Sequence, residues 1–185
     1  PYENGTPSHD VLGKLFARID VENFQNVFIQ WINSIAKNTQ GEIIPIDGKT
    51  IRGSGDSSKP KSAIHVVSAY ATGQNLCLGQ KVVDTKHNEI VAIPEILELI
   101  AIKGCVVTID AMGCQKTIAK TIKEKEADYV LMVKDNQQEL KEQIEKMFEL
   151  QTDKEPDETL DCGHGRIETR KCETVDNLEF LDDKE

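Results

Sequence analysis

The chain is poor in several features that would have narrowed its function at once. Its five cysteines are odd in number and form no CxxC pair, which fits neither a disulfide framework nor a four-thiolate zinc site. Cys162, His164 and Cys172 lack a fourth ligand at the spacing zinc uses, so reduced thiols in a cytosolic protein are the expectation. No apolar run approaches the roughly 20 residues that span a bilayer. The opening segment PYENGTPSHD has neither a basic region nor an apolar core, so it does not read as a signal peptide. It starts without methionine on turn-rich residues, as an excised fragment would. No GxGxxG follows the first strand-like run, which disfavours a dinucleotide site. Basic excess is missing too: 22 Lys and Arg stand against 32 Asp and Glu, a net charge of -10. Taken whole, that charge argues against a nucleic-acid partner.

Its distribution weakens the objection. Residues 135–185 hold 17 acids and 7 bases, whereas residues 1–134 hold 15 of each. The acidity therefore belongs to one helix and the tail. At 185 residues, with 38% hydrophobic and 29% charged side chains, the chain has the composition of a folded soluble domain with one sizeable core.

Ser8 can cap a short helix running to about Ile19, with Val11, Leu12, Leu15 and Phe16 on one face. A second helix is expected over 22–37, where Phe24, Val27, Phe28, Trp31, Ile32 and Ile35 recur at spacings of three and four. Such a stripe reads as a packed helical face in preference to a base-stacking surface. GEIIPIDGKTIRGS then gives a short strand ending at Asp47 and Gly48. AIHVVSAYA and LCLGQKVVD are two further strands joined through Thr72-Gly73-Gln74-Asn75, which has hairpin-turn chemistry. Pro94 suits the first position of a helix over EILELIAI, with Gly104 past its end. CVVTID is a buried, β-branched strand, followed by a helix over about 115–126 and the strand DYVLMV. A polar helix, QQELKEQIEKMFEL, presents Leu140, Ile144, Met147 and Phe148 on one side. QTDKEPDETLD reads as an acidic loop, and HGRIETRKCETV resumes strand character. Helix, helix, then β-β-β-α-β-α-β-α predicts an α/β fold. Its centre is an RNase H-like mixed five-stranded sheet flanked by helices, antiparallel first and parallel after. The start of a β insertion follows at the C-terminus. The divisions expected are 1–40 for the helical segment, 41–150 for the core and 151–185 for the acidic linker and insertion.

In that topology the first and fourth strands are neighbours, so Asp47 and Asp110 converge although 63 positions separate them. Paired strand-end carboxylates are what a two-metal phosphoryl-transfer site needs, since hard oxygens hold two Mg²⁺ (or Mn²⁺) ions about 3.5–4 Å apart. Aspartates that merely cap a turn or helix are the plainer alternative. His65 and His87 have no partner evident in the sequence and read as a satisfied strand histidine and a loop histidine.

At these residues a resemblance emerges. IPIDGKTIRGS, AIHVVSAYA, NEIVAIPEILELI, TIDAMGCQKTIA and DYVLMVKDNQQEL resemble, in order, the transposases of the H-repeat-associated insertion sequences. The match runs from about Asn4 to Lys171 and includes NGTPSHDVLGKLFARI. The resemblance implies a DDE transposase core in which Asp47 and Asp110 match the first and second metal-binding aspartates. It also implies a cytoplasmic enzyme, nucleoid-associated when acting on double-stranded DNA at transposon ends and target. It would be a homo-oligomer when full length, with no membrane partner. One departure shows: where the family has KGNQ, this chain has Lys134-Asp135-Asn136-Gln137, which adds an acid beside the expected site.

The third carboxylate is less direct. Glu145 lies 35 residues past Asp110, the spacing of integrase-like enzymes, but on a helix whose acids also fit a plain solvated face. Relatives carry their glutamate in an HWxxEN motif after a β insertion, and no such motif occurs here. Gly163 to Glu168 matches the start of that insertion, making Glu168 a conditional candidate. The third acid is expected beyond residue 185, leaving a fragment that folds but cuts DNA poorly. Cations for backbone phosphates are Lys49, Arg52, Lys59 and Lys61 after the first aspartate and Arg166, Arg170 and Lys171 near the C-terminus, with Lys134 and the amide side chains of Asn136 and Gln137 as DNA contacts between. Two other readings stay open: a catalytically silent domain that binds DNA or a protein, and a simple nuclease using Glu145.

Overall fold

The computed structural model describes residues 5–35, 41–55, 62–83, 89–151, 156–163 and 165–176. Lys59, Lys61, His87 and His164 lie outside the described residues. The chain divides into two compact units, Pro1–Met132 and Val133–Glu185.

The first unit is built on five strands: β1 (Ile43–Thr50), β2 (His65–Ala71), β3 (Leu76–Val83), β4 (Val106–Ile109) and β5 (Asp128–Leu131). They stand in the order β3-β2-β1-β4-β5. β1, β2 and β3 are antiparallel neighbours, and β1, β4 and β5 run parallel. A short connection can return a chain only alongside itself in the opposite sense, whereas parallel strands need a crossover. The turn from Thr72 to Asn75 serves the first need, Asn75 taking a positive φ of 55° that Asn tolerates. Helices serve the second: α3 (Glu89–Leu99) leads to β4 and α4 (Lys116–Glu124) to β5. This is the RNase H-like mixed sheet that the element order predicts.

One face of the sheet carries the core. Ile44 and Ile46, Val67 and Ala69, and Val107 and Ile109 alternate inward at period two and meet Ile93, Ile96 and Leu97 of α3 and Ile118 and Ile122 of α4. Gly79 lets β3 approach α3, because a Cβ there would lie 3.2 Å from Ile100 Cγ2.

Three expectations need correction. The helix expected to open at Pro94 opens five residues earlier, at Glu89, leaving Pro94 inside it. The missing N–H at Pro94 costs one helical bond, but Glu89 is held by a buried partner and the helix forms around that contact. The helices α1 (His9–Phe16) and α2 (Val21–Ile35) form and Ser8 caps the first through Val11 N, yet their apolar faces are not packed as expected. α1 buries nothing, and α2 buries only Ile29 and Ile32, with Phe28 half-buried. Phe24, Val27, Trp31 and Ile35 are exposed. Amphipathic spacing fixes which residues share a face, not the width of what covers it. The acidic segment expected as loop contains a strand, β6 (Asp157–Gly163), paired antiparallel with β7 (Arg166–Cys172). Cross-strand charge pairing outweighs the low strand propensity of its acids, as at Glu158 and Lys171, 3.2 Å apart. These strands belong to the second unit with α5 (Gln138–Leu150), where Met147 is buried and Leu140, Ile144 and Phe148 are half-buried.

Ile96 is fully buried between α3 and the sheet. Ile96→Ala is expected to lower the stability of the first unit by about 2–5 kcal/mol, read from its midpoint in urea. An unchanged midpoint would show that α3 does not seat on the sheet as described.

Candidate active site

The placement of Asp47 and Asp110 follows from one ladder. β1 and β4 pair in register from Ile43 with Val106 to Ile46 with Ile109, and Asp47 and Asp110 are the next residue on each strand. Side chains paired in a parallel register point to the same face. Ile46 and Ile109 are both buried, so the following two turn outward, and both aspartates are exposed. The chain thus sets two hard-oxygen donors side by side at the C-terminal end of the β1–β4 ladder, Asp110 just past β4 and Asp47 within β1, which runs on to Thr50 and so past the end expected at Asp47 and Gly48. That is also where α/β sheets place their ligands.

Local structure fixes Asp110 further. Its Oδ1 accepts from Met112 N at 3.0 Å and caps a 3-10 turn over Ala111–Gly113. Gly113 lies against the Ile109 side chain, where a Cβ would overlap it, so the turn closes onto the strand only with glycine. The capping role and a ligand role are compatible, because a carboxylate has two oxygens and about four lone-pair sites. Asp47 stands in a cross-sheet row with Ser68 and Gln80. Ser68 escaped the sequence reading, although its period-two parity, opposite to Val67 and Ala69, marks it as facing this side.

Lys49 is exposed on the same side of β1 as Asp47, and Arg52 is exposed in the turn beyond. The remaining candidates lie in the second unit. Glu145 is an exposed helix acid 3.8 Å from Lys141, its i,i+4 neighbour. Glu168 is held by Arg170 at 2.7 Å, so those two candidates answer each other. Arg166, Lys134 and Asn136 are exposed, and Gln137 is half-buried. Among the described residues, no three His, Cys, Asp or Glu side chains gather as a metal cluster. The cysteines are thiols and none is in a disulfide, and burial pushes those of Cys77 and Cys114 up. Among the described residues, no helix is long and apolar enough to cross a membrane.

An RNase H-like mixed sheet with two outward carboxylates, Asp47 and Asp110, on neighbouring strands is the arrangement found. Residues 38–176 match the transposase DDE domain, and the chain belongs to that family. It is 46% identical over 173 residues to "Putative transposase YncI" of Escherichia coli strain K12, covering 91% of this chain and 70% of that protein. It is 40% identical to "H repeat-associated putative transposase YbfD" of the same strain, covering 96% of this chain and 73% of that protein. The O157:H7 form of YncI is longer: at 46% identity the match takes in 98% of this chain but 48% of that protein. The chain thus spans about half the length of that relative. A chain of the piggyBac transposase synaptic complex with hairpin DNA overlaps 64% of this chain and 28% of its own length, at 20% identity and a TM-score of 0.44. The family assignment stands without it.

Asp135, the residue that departs from the KGNQ pattern, has a partner within its own unit. Lys141 Nζ donates to its Oδ1 at 2.8 Å. That hydrogen bond, with the lysine's charge, holds the Asp135 carboxyl below the usual carboxylate range and raises Lys141 in turn. A carboxyl depressed on folding stabilises the fold above its unfolded pKa, about 4, and loses that contribution as acid carries the pH through the lower folded value. In an NMR titration Asp135 is therefore expected to have a midpoint below that of an unpaired aspartate, and Lys141→Met is expected to move it up. No movement in the variant would remove Lys141 as the cause.

Proposed function

We propose that this chain is most of the catalytic core of a DNA transposase, with Asp47 and Asp110 as its first two metal-binding carboxylates. The β1–β4 register carries the reading, because it brings two acids far apart in sequence to adjacent, outward-facing positions just past the ladder's last rung. Two carboxylates on neighbouring strands gather negative charge in one place, which a divalent cation would neutralise. Mg²⁺ or Mn²⁺ bound there would supply charge neutralisation and Lewis-acid polarisation of a phosphodiester. The protein's own part is to hold the oxygen donors on a rigid sheet and, through Asp110's cap, to fix one carboxylate's orientation. Lys49 and Arg52 are the nearest candidate cations for backbone phosphates in chain order. Double-stranded DNA is the substrate, at transposon ends and target. Water and then a freed 3′ hydroxyl are the nucleophiles, without a covalent protein intermediate.

In this reading Lys134, Asn136, Gln137, Arg166 and Arg170 extend the DNA contact from the second unit. The third acid lies in the length that the longer relative has and this chain does not span, with Glu145 and Glu168 as the alternatives inside it. The full-length enzyme is a homo-oligomer acting on the nucleoid in the cytoplasm. The pairing of Glu168 with Arg170 and the exposure of Glu145 beside Lys141 favour neither as a finished ligand. That supports a chain which binds metal and DNA but cuts slowly or not at all.

Calorimetric titration with Mn²⁺ tests the assignment. The wild-type chain is expected to give a saturable heat that Asp47→Asn and Asp110→Asn each abolish. Equal binding by all three proteins would sink it. On supercoiled plasmid with Mg²⁺ the chain is expected to leave the DNA intact. Metal-dependent nicking that disappears in Glu145→Gln would instead establish a simple nuclease with Glu145 as its third acid.

A further inference from the structure

Among the described residues two polar side chains are buried, and both lie behind the strand that bears Asp47. His65 is 3% exposed and Glu89 5%. His65 Nε2 contacts Glu89 Oε1, and its Nδ1 meets Thr50 Oγ1 at 2.9 Å. Thr50 and His65 are direct cross-strand partners. Between Asp47 and Thr50 the strand crosses the pair at Gly48, where a Cβ would fall 2.7 Å from His65 Nε2 and closer still to the Glu89 carboxylate. One imidazole therefore joins three elements: β1 through Thr50, β2 through its own backbone, and α3 through its first residue.

The stretch this chain of contacts holds lies beyond the β1–β4 ladder. Ile46 is paired on both sides, with β4 and with β2, whereas Ile43 to Pro45 are laddered with β4, Thr72 N donating to Ile43 O at 3.2 Å on the other side. From Asp47 to Thr50 the described pairing is to β2 alone. A strand end with one neighbour opens more readily than a position paired on both sides. Apolar packing alone would not cure this, because it is non-directional and fixes no hydrogen-bond register. A slip of one residue would turn Asp47 to the core side. An imidazole bonded at both nitrogens is directional, and Gly48 allows the strand to lie flat upon it. Burying two ionisable groups in place of hydrocarbon is commonly neutral or unfavourable for stability. Here the rest of α3's inner face is apolar at Ala92, Ile93, Ile96 and Leu97, so anchoring the helix does not require the pair.

We propose that Thr50, His65 and Glu89 are positioning residues that clamp the singly paired end of β1 and keep Asp47 in register beside Asp110. This rests on the reading of those two aspartates as metal ligands. The effect expected is that of a group supporting a ligand from behind: its loss weakens metal affinity without abolishing it, by about ten-fold or more.

The test uses amide hydrogen exchange and Mn²⁺ calorimetry on wild type, Glu89→Ala, Glu89→Gln and Thr50→Val. Glu89→Ala is expected to lose protection at residues 47–50 and 65–68 while residues 43–46 and 106–109 keep theirs, and to bind Mn²⁺ about ten-fold more weakly. Glu89→Gln keeps the shape and one hydrogen bond and is expected to recover most of both. Thr50→Val removes only the outer bond and gives the same pattern with smaller amplitude in a protein whose core is untouched. Unchanged protection at 47–50, or a loss spread evenly over the sheet, would overturn the clamp, as would variants that bind Mn²⁺ as tightly as a wild type that binds it. Failure of wild type itself to bind Mn²⁺ is a separate result: it removes the metal reading of the aspartates, and the clamp's role with it.

Discussion

Four rungs of parallel pairing, from Ile43 with Val106 to Ile46 with Ile109, decide what this molecule can present at the end of its sheet. Those rungs tie two segments that are far apart in sequence into one register, and everything beyond them inherits it. The buried side of the rungs belongs to Ile44, Ile46, Val107 and Ile109. Shifting either strand by one residue would expose that row and bury an aspartate, so the hydrophobic core and the outward carboxylates are enforced by one constraint. A site built in this way needs no binding energy to assemble, because folding assembles it. The family assignment rests on residues 38–176 as a whole, and the placement of Asp47 beside Asp110 on a single ladder.

The negative charge of the chain has to be weighed against that site. It is concentrated after residue 134, and some of its acids are paired locally. Lys141 meets Asp135 and Glu145, Arg170 meets Glu168, and Lys171 meets Glu158. These are exposed pairs, worth little to stability, but they reduce the field that a phosphate backbone would meet. The first unit, where the aspartate pair lies, carries no such excess. An overall charge of -10 is therefore compatible with a DNA substrate once its position along the chain is considered.

Much of the sheet was legible because strands and crossovers leave strong marks. Period-two apolar residues, the hairpin chemistry of Thr72 to Asn75 and the β-branched run before Asp110 are local signals, and each became the expected element. What escaped depended on contacts made at a distance. Pro94 looked like a helix start because proline favours that position, yet Glu89, five residues earlier, had a partner 24 positions upstream in His65. His65 carried a sign of its own: it shares the inward parity of Val67, Ala69 and Ala71, and a buried histidine requires a partner. The amphipathic spacing of α1 and α2 was real, but no periodicity reveals how much of a stripe another element will cover. Asp157–Gly163 looked like loop because strand propensity depends on the facing strand as much as on the residues themselves.

The two kinds of buried residue in the first unit have different roles. Hydrocarbon side chains fix which surfaces meet, and a well-packed apolar core accepts small changes in how they meet. The His65–Glu89 pair, bonded at defined atoms, accepts fewer. It stands just beyond Ile46, the last rung that β1 shares with β4, and immediately behind Asp47. A helix that starts at Glu89 and not at Pro94 is what permits this, since the additional turn carries the carboxylate to the sheet. The feature that most misled the local reading of α3 is thus bound up with the position of Asp47, because a tertiary contact, and not helix propensity, determines where that helix begins.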